Sequence, residues 1–254
     1  MREWLIERIE IPNRTVLNRK IPKKAFFTQA DLSASEKEMF TSQIEGIHLI
    51  SVMNQQSMNI PIYKTEEIHY AEVVWVYVQL RKTQNIGRIV NAVHKSIPNP
   101  VLLILESPNK EILFSTCHKR LNKSDASKVV IDQPIVTKWF QPNEEETVYN
   151  KLLEALDISK LAYDNLFSFY DDIHQWLKCE ELLRLIGTMP ITVENREKVI
   201  YHINQMHEDQ KEMERLQLDQ NNQLDFGAKM DFHLKIKRLE QQMSGLLQQM
   251  KELC

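Results

Sequence analysis

The chain has 254 residues, a net charge of −3 and 43% apolar residues, the composition of a soluble protein with material for a core. It has only five glycines (Gly46, Gly87, Gly187, Gly227, Gly245), none spaced for a phosphate-cradling loop, which excludes the GxGxxG and GxxxxGK[ST] signatures. Charge is uneven: residues 1–125 carry 17 bases against 13 acids, and residues 126–254 carry 15 against 22. Three scattered cysteines (Cys117, Cys179, Cys254) without a CxxC argue against a disulfide framework and for a reducing compartment. The opening MREWLIERIEIP alternates charged and apolar residues and does not read as a signal peptide. No apolar run approaches the roughly 20 residues of a membrane span. A cytoplasmic protein is expected.

Residues 1–30 read as a short amphipathic start followed by an irregular segment punctuated by Pro12 and Pro22. Arg14, Arg19, Lys20, Lys23 and Lys24 follow one another there without an intervening acid. Ser33-Ala34-Ser35-Glu36 has the capping-box form and opens a helix carrying Met39, Phe40 and Ile44. The spacing predicts strands over Ile47–Met53, Met58–Tyr63 and Ile68–Arg81. In the last, Val74, Val76, Val78 and Leu80 share one face and Val73, Trp75, Tyr77 and Gln79 the other, which places it inside the sheet. A helix from Asn85 carries Ile86, Ile89, Val90, Val93 and Ile97 and stops at Pro98 and Pro100. Val101–Leu105 reads as a buried strand, and Ser107-Pro108-Asn109-Lys110 turns it into a hairpin with Glu111–Cys117. The expected order is α-β-β-β-α-β-β, an α+β fold with a mixed sheet and flanking helices over about 1–140.

A helical region is expected over 145–190, with one stripe at Val148, Leu152, Leu153, Leu156 and Leu161 and another at Leu166, Phe169, Ile173 and Leu177. Gly187 and Pro190 break the pattern. Residues 192–254 read as a long helical or coiled-coil segment. Phe232, Ile236, Leu239, Met243, Leu246, Met250 and Leu253 repeat at steps of 4 and 3, a narrow coiled-coil seam. As a helix, 232–254 spans on the order of 34 Å. Val199, Ile203, Met206 and Met213 make a weaker seam upstream, and Asp225-Phe226-Gly227 between them reads as a turn or a fray. Two packings satisfy the stripe: a hairpin with 195–218 of the same chain, or a partner helix, including that of a homodimer.

Chemistry-bearing patterns are sparse. Of eight histidines no pair is four apart, and HExxH is absent. Asp171-Asp172 with His174 reads as a polar helix face, and Cys117-His118 as an adjacent pair without dyad geometry. No catalytic residue, metal ligand or cofactor site is assigned. The element order resembles the PD-(D/E)xK nuclease core, whose carboxylates hold a metal. Here the third strand ends Gln79-Leu80-Arg81-Lys82, with neutral Gln79 where an acid is required. Glu36, Glu45 and Glu72 do not complete the set. Arg14, Arg19, Lys20, Lys23 and Lys24, with Lys119 and Arg120, are candidates for DNA backbone contact.

Several short stretches, taken in order, resemble a bacterial family known as domain of unknown function four-three-nine-one. They are Ile21-Pro22-Lys23-Lys24-Ala25-Phe26; Leu32-Ser33 leading to Glu36-Lys37; Ile44-Glu45; Asn59-Ile60; and Glu67-Ile68. The series continues with Ser96-Ile97-Pro98-Asn99-Pro100 before Val101-Leu102-Leu103, then Thr137-Lys138-Trp139, and last Gln223-Leu224-Asp225-Phe226 before Leu234-Lys235-Ile236-Lys237. The resemblance implies genes beside helicases and DNA methyltransferases in anti-phage defence clusters. It implies a non-catalytic adaptor subunit that assembles with a helicase and a methyltransferase. The alternative is a DNA-contacting, nuclease-like domain with a degenerate site.

Overall fold

The computed structural model describes residues 1–29, 32–123, 129–142 and 147–254. It is a mixed α+β structure divided into two compact units, Met1–Lys178 and Cys179–Cys254. The boundary expected at residue 145 lies outside the described residues. Among those described, no helix is long and apolar enough to cross a membrane.

The first unit begins with helix α1 (Arg2–Arg8), strand β1 (Val16–Lys20) and helices α2 (Lys23–Gln29) and α3 (Ala34–Gln43). Ser33 closes the capping box of α3: its hydroxyl accepts from the Glu36 amide, and the Glu36 carboxylate accepts from the Ser33 amide. Strand β2 (Ile44–Asn54) follows, then the single-turn helix α4 (Gln55–Met58) and the short strands β3 (Tyr63–Lys64) and β4 (His69–Tyr70). Strand β5 (Glu72–Leu80), helix α5 (Ile86–Ser96) and strand β6 (Val101–Glu106) form the parallel crossover. Strands β7 (Ile112–Thr116), β8 (Lys119–Leu121), β9 (Val129–Ile131) and β10 (Ile135–Val136) lead to helices α6 (Asn150–Ala155) and α7 (Leu166–Lys178).

Six strands make one sheet in the order β1-β2-β5-β6-β7-β10. Every neighbouring pair is antiparallel except β5 and β6, which the α5 crossover joins in parallel. Both faces of β5 are buried, as its doubly apolar pattern requires. Val74, Val76, Val78 and Leu80, with Val101, Leu103 and Leu105, pack beneath Phe26, Phe40, Ile89 and Val93 of α2, α3 and α5. The opposite face carries Val73, Trp75, Tyr77, Leu102 and Ile104, and α7 lies against β5, β7 and β10.

Two sequence expectations are corrected here. Met58–Tyr63 is not a strand of the main sheet. Asn54 and Ser57 close a capping box that winds Gln55–Met58 into a helical turn, and Asn59 then takes a left-handed φ of 57°. Pro61 has no amide to give a ladder. The missing strand is instead β1, within the basic segment read as irregular. Its burial pattern is almost wholly exposed, so alternation gave no signal. It is an edge strand whose lysine and arginine discourage further pairing.

The second unit holds helix α8 (Glu180–Ile186) and two long helices, α9 (Val193–Asn222) and α10 (Phe226–Glu252). Thr192 caps α9 by accepting from the Asn195 amide, and Asp225 caps α10 by accepting from the Ala228 amide. The chain reverses over residues 223–225, with Asp225 as the cap and Phe226 and Gly227 already in the first turn of α10, and α9 and α10 pack as an antiparallel pair. Gln220 donates to the Lys229 carbonyl at 3.1 Å near the turn, and Asn195 donates to the Leu253 carbonyl at 2.7 Å at the far end. In the seam, Ile236 and Met250 are buried, while Phe232, Leu239, Met243, Leu246 and Leu253 are half-buried.

Candidate functional site

The first unit's sheet has a polar floor at one end of the face opposite α3 and α5. Register builds it in two rows. Lys20 of β1 stands opposite His48 of β2, which stands opposite Tyr77 of β5. In the next row Gly46 stands opposite Gln79, and Gln79 opposite Glu106 of β6. Tyr77 donates its hydroxyl proton to Glu106, and Lys110 donates to the other carboxylate oxygen at 2.6 Å. Burial pushes the Glu106 carboxyl up. The hydrogen bonds from Lys110, Tyr77 and Gln79 outweigh it and hold the group below its usual value. Glu106 is 3% exposed and stays ionised as a structural anchor. Burial, reinforced by Glu106, drives the Tyr77 phenol up, so it remains a donor.

A second polar group lies inside the first unit between α5, β8 and α7. The Lys119 ammonium, 2% exposed, donates to the carbonyls of His94, Ile97 and Asn99 at 2.9, 2.5 and 2.7 Å. It thereby satisfies carbonyls at the end of α5 that have no partner within the helix. Tyr70 shares a hydrogen bond with His118 Nδ1 at 3.2 Å, and His118 Nε2 meets Asp171 at 2.9 Å. Thr116 pairs with His174 at 2.9 Å. Burial, with the nearby His118, pulls His174 down to about 3, so it is neutral. Asp172 accepts from the Ala162 amide at 3.0 Å, and Tyr170 donates to the Val101 carbonyl at 2.8 Å. These groups tie α5 and α7 to strands β4, β6, β7 and β8, hydrogen bonds that fix packing.

The profile of a family described as "Domain of unknown function (DUF4391)" matches residues 9–243. The chain belongs to this family. No curated protein and no solved structure matches it. The DUF4391 match spans the sheet unit and most of the helical hairpin, so both are parts of the family's domain.

The seven DNA-contact candidates do not form one patch in this DUF4391 chain. Lys119 is corrected outright: it is buried and its three donors are spent on backbone carbonyls. Arg120 is paired with Asp132 at 3.1 Å. Lys23 turns inward to the Thr41 and Ile44 carbonyls. Arg19 stands opposite Leu49, on the helix-covered face, while Lys20 occupies the polar floor. Arg14, Arg19, Lys20 and Lys24 are exposed. The carboxylates weighed for a nuclease also part company. Glu45 lies in the bulge beside Gln79, whereas Glu72 sits at the other end of β5, accepting from Asn54 and Asn99. Glu36 is spent on its cap. Among the described residues no group of three or more His, Cys, Asp or Glu is arranged to hold a metal.

Sequence reasoning missed the Tyr77–Glu106–Lys110 anchor and the His118–Asp171 link. The first had a visible trace: Tyr77 and Gln79 share a face of β5, and Glu106 ends an otherwise apolar β6. The second had none, because its members are separated by 53 residues. The hairpin's seam faces α9 within its own unit, with Ile236 and Met250 buried, and large apolar side chains are exposed on both sides of its turn. Leu218, Leu224, Phe226, Met230 and Leu234 are 64%, 96%, 76%, 44% and 50% exposed. Phe226, Met230 and Leu234 recur every four residues along one face of α10, over about 12 Å of helix.

Proposed function

We propose that this DUF4391 chain is a non-catalytic assembly subunit of a bacterial anti-phage, restriction-like complex in the cytoplasm. In this reading its hairpin turn receives an amphipathic helix of a protein partner, the helicase or the methyltransferase. One observation carries the proposal: five large apolar side chains are exposed within residues 218–234, on either side of the hairpin turn, while the α10 seam is already turned to α9. Soluble monomers rarely leave such a group uncovered. A stripe with four-residue spacing suits the ridges-into-grooves packing of one helix on another. The helicase and methyltransferase neighbours that the sequence resemblance implies supply the class of partner.

The test is co-expression with the neighbouring genes, affinity capture of this chain and mass spectrometry of what accompanies it. The proposal expects a helicase or a methyltransferase at a fixed ratio with the wild-type chain, and at least a tenfold loss with Leu224→Asp and Phe226→Asp together. Capture that is unchanged by those substitutions removes the turn as the docking element.

A further inference from the structure

The polar floor contains a corner that neither the assembly role nor the Glu106 anchor uses. Lys20 and His48 are direct cross-strand partners, so their side chains leave the same face of the sheet side by side. Asn18, two residues before Lys20, has a left-handed φ of 43° at the irregularity in the β1–β2 ladder. Its carboxamide oxygen accepts from Arg2 Nη1 at 2.7 Å, which ties the guanidinium of α1 to the same edge. Among the described residues neither Arg2 nor Lys20 has an acidic partner. Glu106, the buried carboxylate of the floor, is turned to Lys110 and Tyr77.

His48 records this crowding of positive charge. Burial, then Arg2, then Lys20 pull its imidazole below the usual value. Its Nδ1 is shielded from solvent and has no hydrogen-bond partner. Beside it the backbone is bare: a Cβ on Gly46 would come within 3.3 Å of His48 Cε1 and 3.4 Å of Gln79 Oε1. The ring therefore lies close over the Gly46 backbone, which holds it in place beside Gln79. Three nitrogen groups from α1, β1 and β2 gather at this edge: two are cations with no acidic partner among the described residues, and burial, then their field, disfavours a proton on the third.

We propose that Arg2, Lys20 and His48 form a seat for a phosphate group. A phosphate oxygen pair suits the free donors of the guanidinium, the ammonium reaches the same anion, and a proton taken up by His48 adds a third charge-assisted hydrogen bond. Arriving negative charge removes the mutual repulsion of the three groups. Phosphate binding and protonation of His48 are thus linked: each favours the other. The groups facing His48 are Arg2 from α1, Lys20 from β1 and Tyr77 from β5. Arg19 and Lys24, exposed on β1 and α2, extend positive charge along the chain from this corner.

The test follows the His48 ring by NMR in the full chain, titrated from pH 5 to 8 with no ligand, with inorganic phosphate, and with a twelve-residue DNA duplex at low salt. The expected result is an upward shift of the His48 titration with at least one probe. That shift should fall about tenfold in apparent affinity with Arg2→Gln or Lys20→Gln, while Arg120→Gln, remote and already paired, leaves it intact. A response to inorganic phosphate equal to that of DNA assigns the seat to small phosphate ligands. A response to DNA alone, with a salt slope that drops by about one for each cation removed, assigns it to the nucleic-acid backbone. If neither probe moves His48, or the shift survives Arg2→Gln with Lys20→Gln, the seat does not exist. The helicase or methyltransferase capture above is read independently and stands whatever His48 does.

Discussion

Replacing Lys119 by Met tests how the first unit holds a charge in its core. Burial pulls the Lys119 ammonium from 10.5 down to about 7. That gap corresponds to roughly 5 kcal/mol. The folded state binds the proton less tightly than the unfolded chain, so between pH 7 and 10.5 the unfolded state carries more protons. The contribution is fully present above 10.5 and is lost as pH falls through 7. Wild-type stability therefore gains about 1.4 kcal/mol per pH unit from this one group within the window. Lys119→Met removes the ionisation and also orphans the carbonyls of His94, Ile97 and Asn99, each costing about 1–3 kcal/mol. Near neutral pH the relief of the buried charge offsets much of that loss, and the difference in slope is the decisive quantity. Urea unfolding at pH 7.5, 8.5 and 9.5 measures it by tryptophan fluorescence. Trp4, Trp75, Trp139 and Trp176 all lie in the first unit, so the signal reports that unit. Cys117, whose charge is coupled to Lys119, is pushed up by burial to about 11 and stays protonated in this range. Across those two pH units the wild type should gain roughly 2–3 kcal/mol relative to Lys119→Met. Parallel stability curves for the two proteins would refute the reasoning.

Tyr77→Phe leaves the buried Glu106 carboxylate one donor short, and should cost about 1–2 kcal/mol in urea unfolding of the first unit. Ile236→Ala, in the buried seam of the hairpin, should cost about 2–4 kcal/mol, read as loss of far-ultraviolet helical signal. Leu224→Ser, at a side chain 96% exposed, should change the same signal's midpoint by less than about 0.5 kcal/mol. A thiol reagent at pH 8 should label the half-buried Cys254 first. The buried Cys117 should react only on unfolding, and equal labelling rates would contradict its burial.

The elements that were legible in the sequence are those whose burial writes a period. Strand β5, with two apolar faces, helix α5, ended by two prolines, and the heptad seam of α10 all announce themselves. So does α3, through Ser33 and Glu36. Strand β1 did not, because an edge strand with exposed Leu17, Asn18, Arg19 and Lys20 has no alternation to detect. Met58–Tyr63 misled in the opposite way: apolar residues sit there, but Asn54, Ser57 and Asn59 write a capped turn. The choice between a hairpin and a partner helix for the α10 seam was also beyond a one-dimensional pattern, since either neighbour satisfies the same stripe. Lys119 is the clearest case for the candidate sites. A Lys-Arg pair looks like a surface patch, and only the fold shows one ammonium turned inward to the end of α5 and the neighbouring guanidinium paired with Asp132.

The assembly role is tested most directly by hydrogen–deuterium exchange on the chain alone and in the complex captured from its native gene neighbourhood. New protection concentrated over residues 218–234, with the α10 seam around Ile236–Met250 equally protected in both states, is the predicted result. Protection that leaves 218–234 unchanged and appears elsewhere would contradict it.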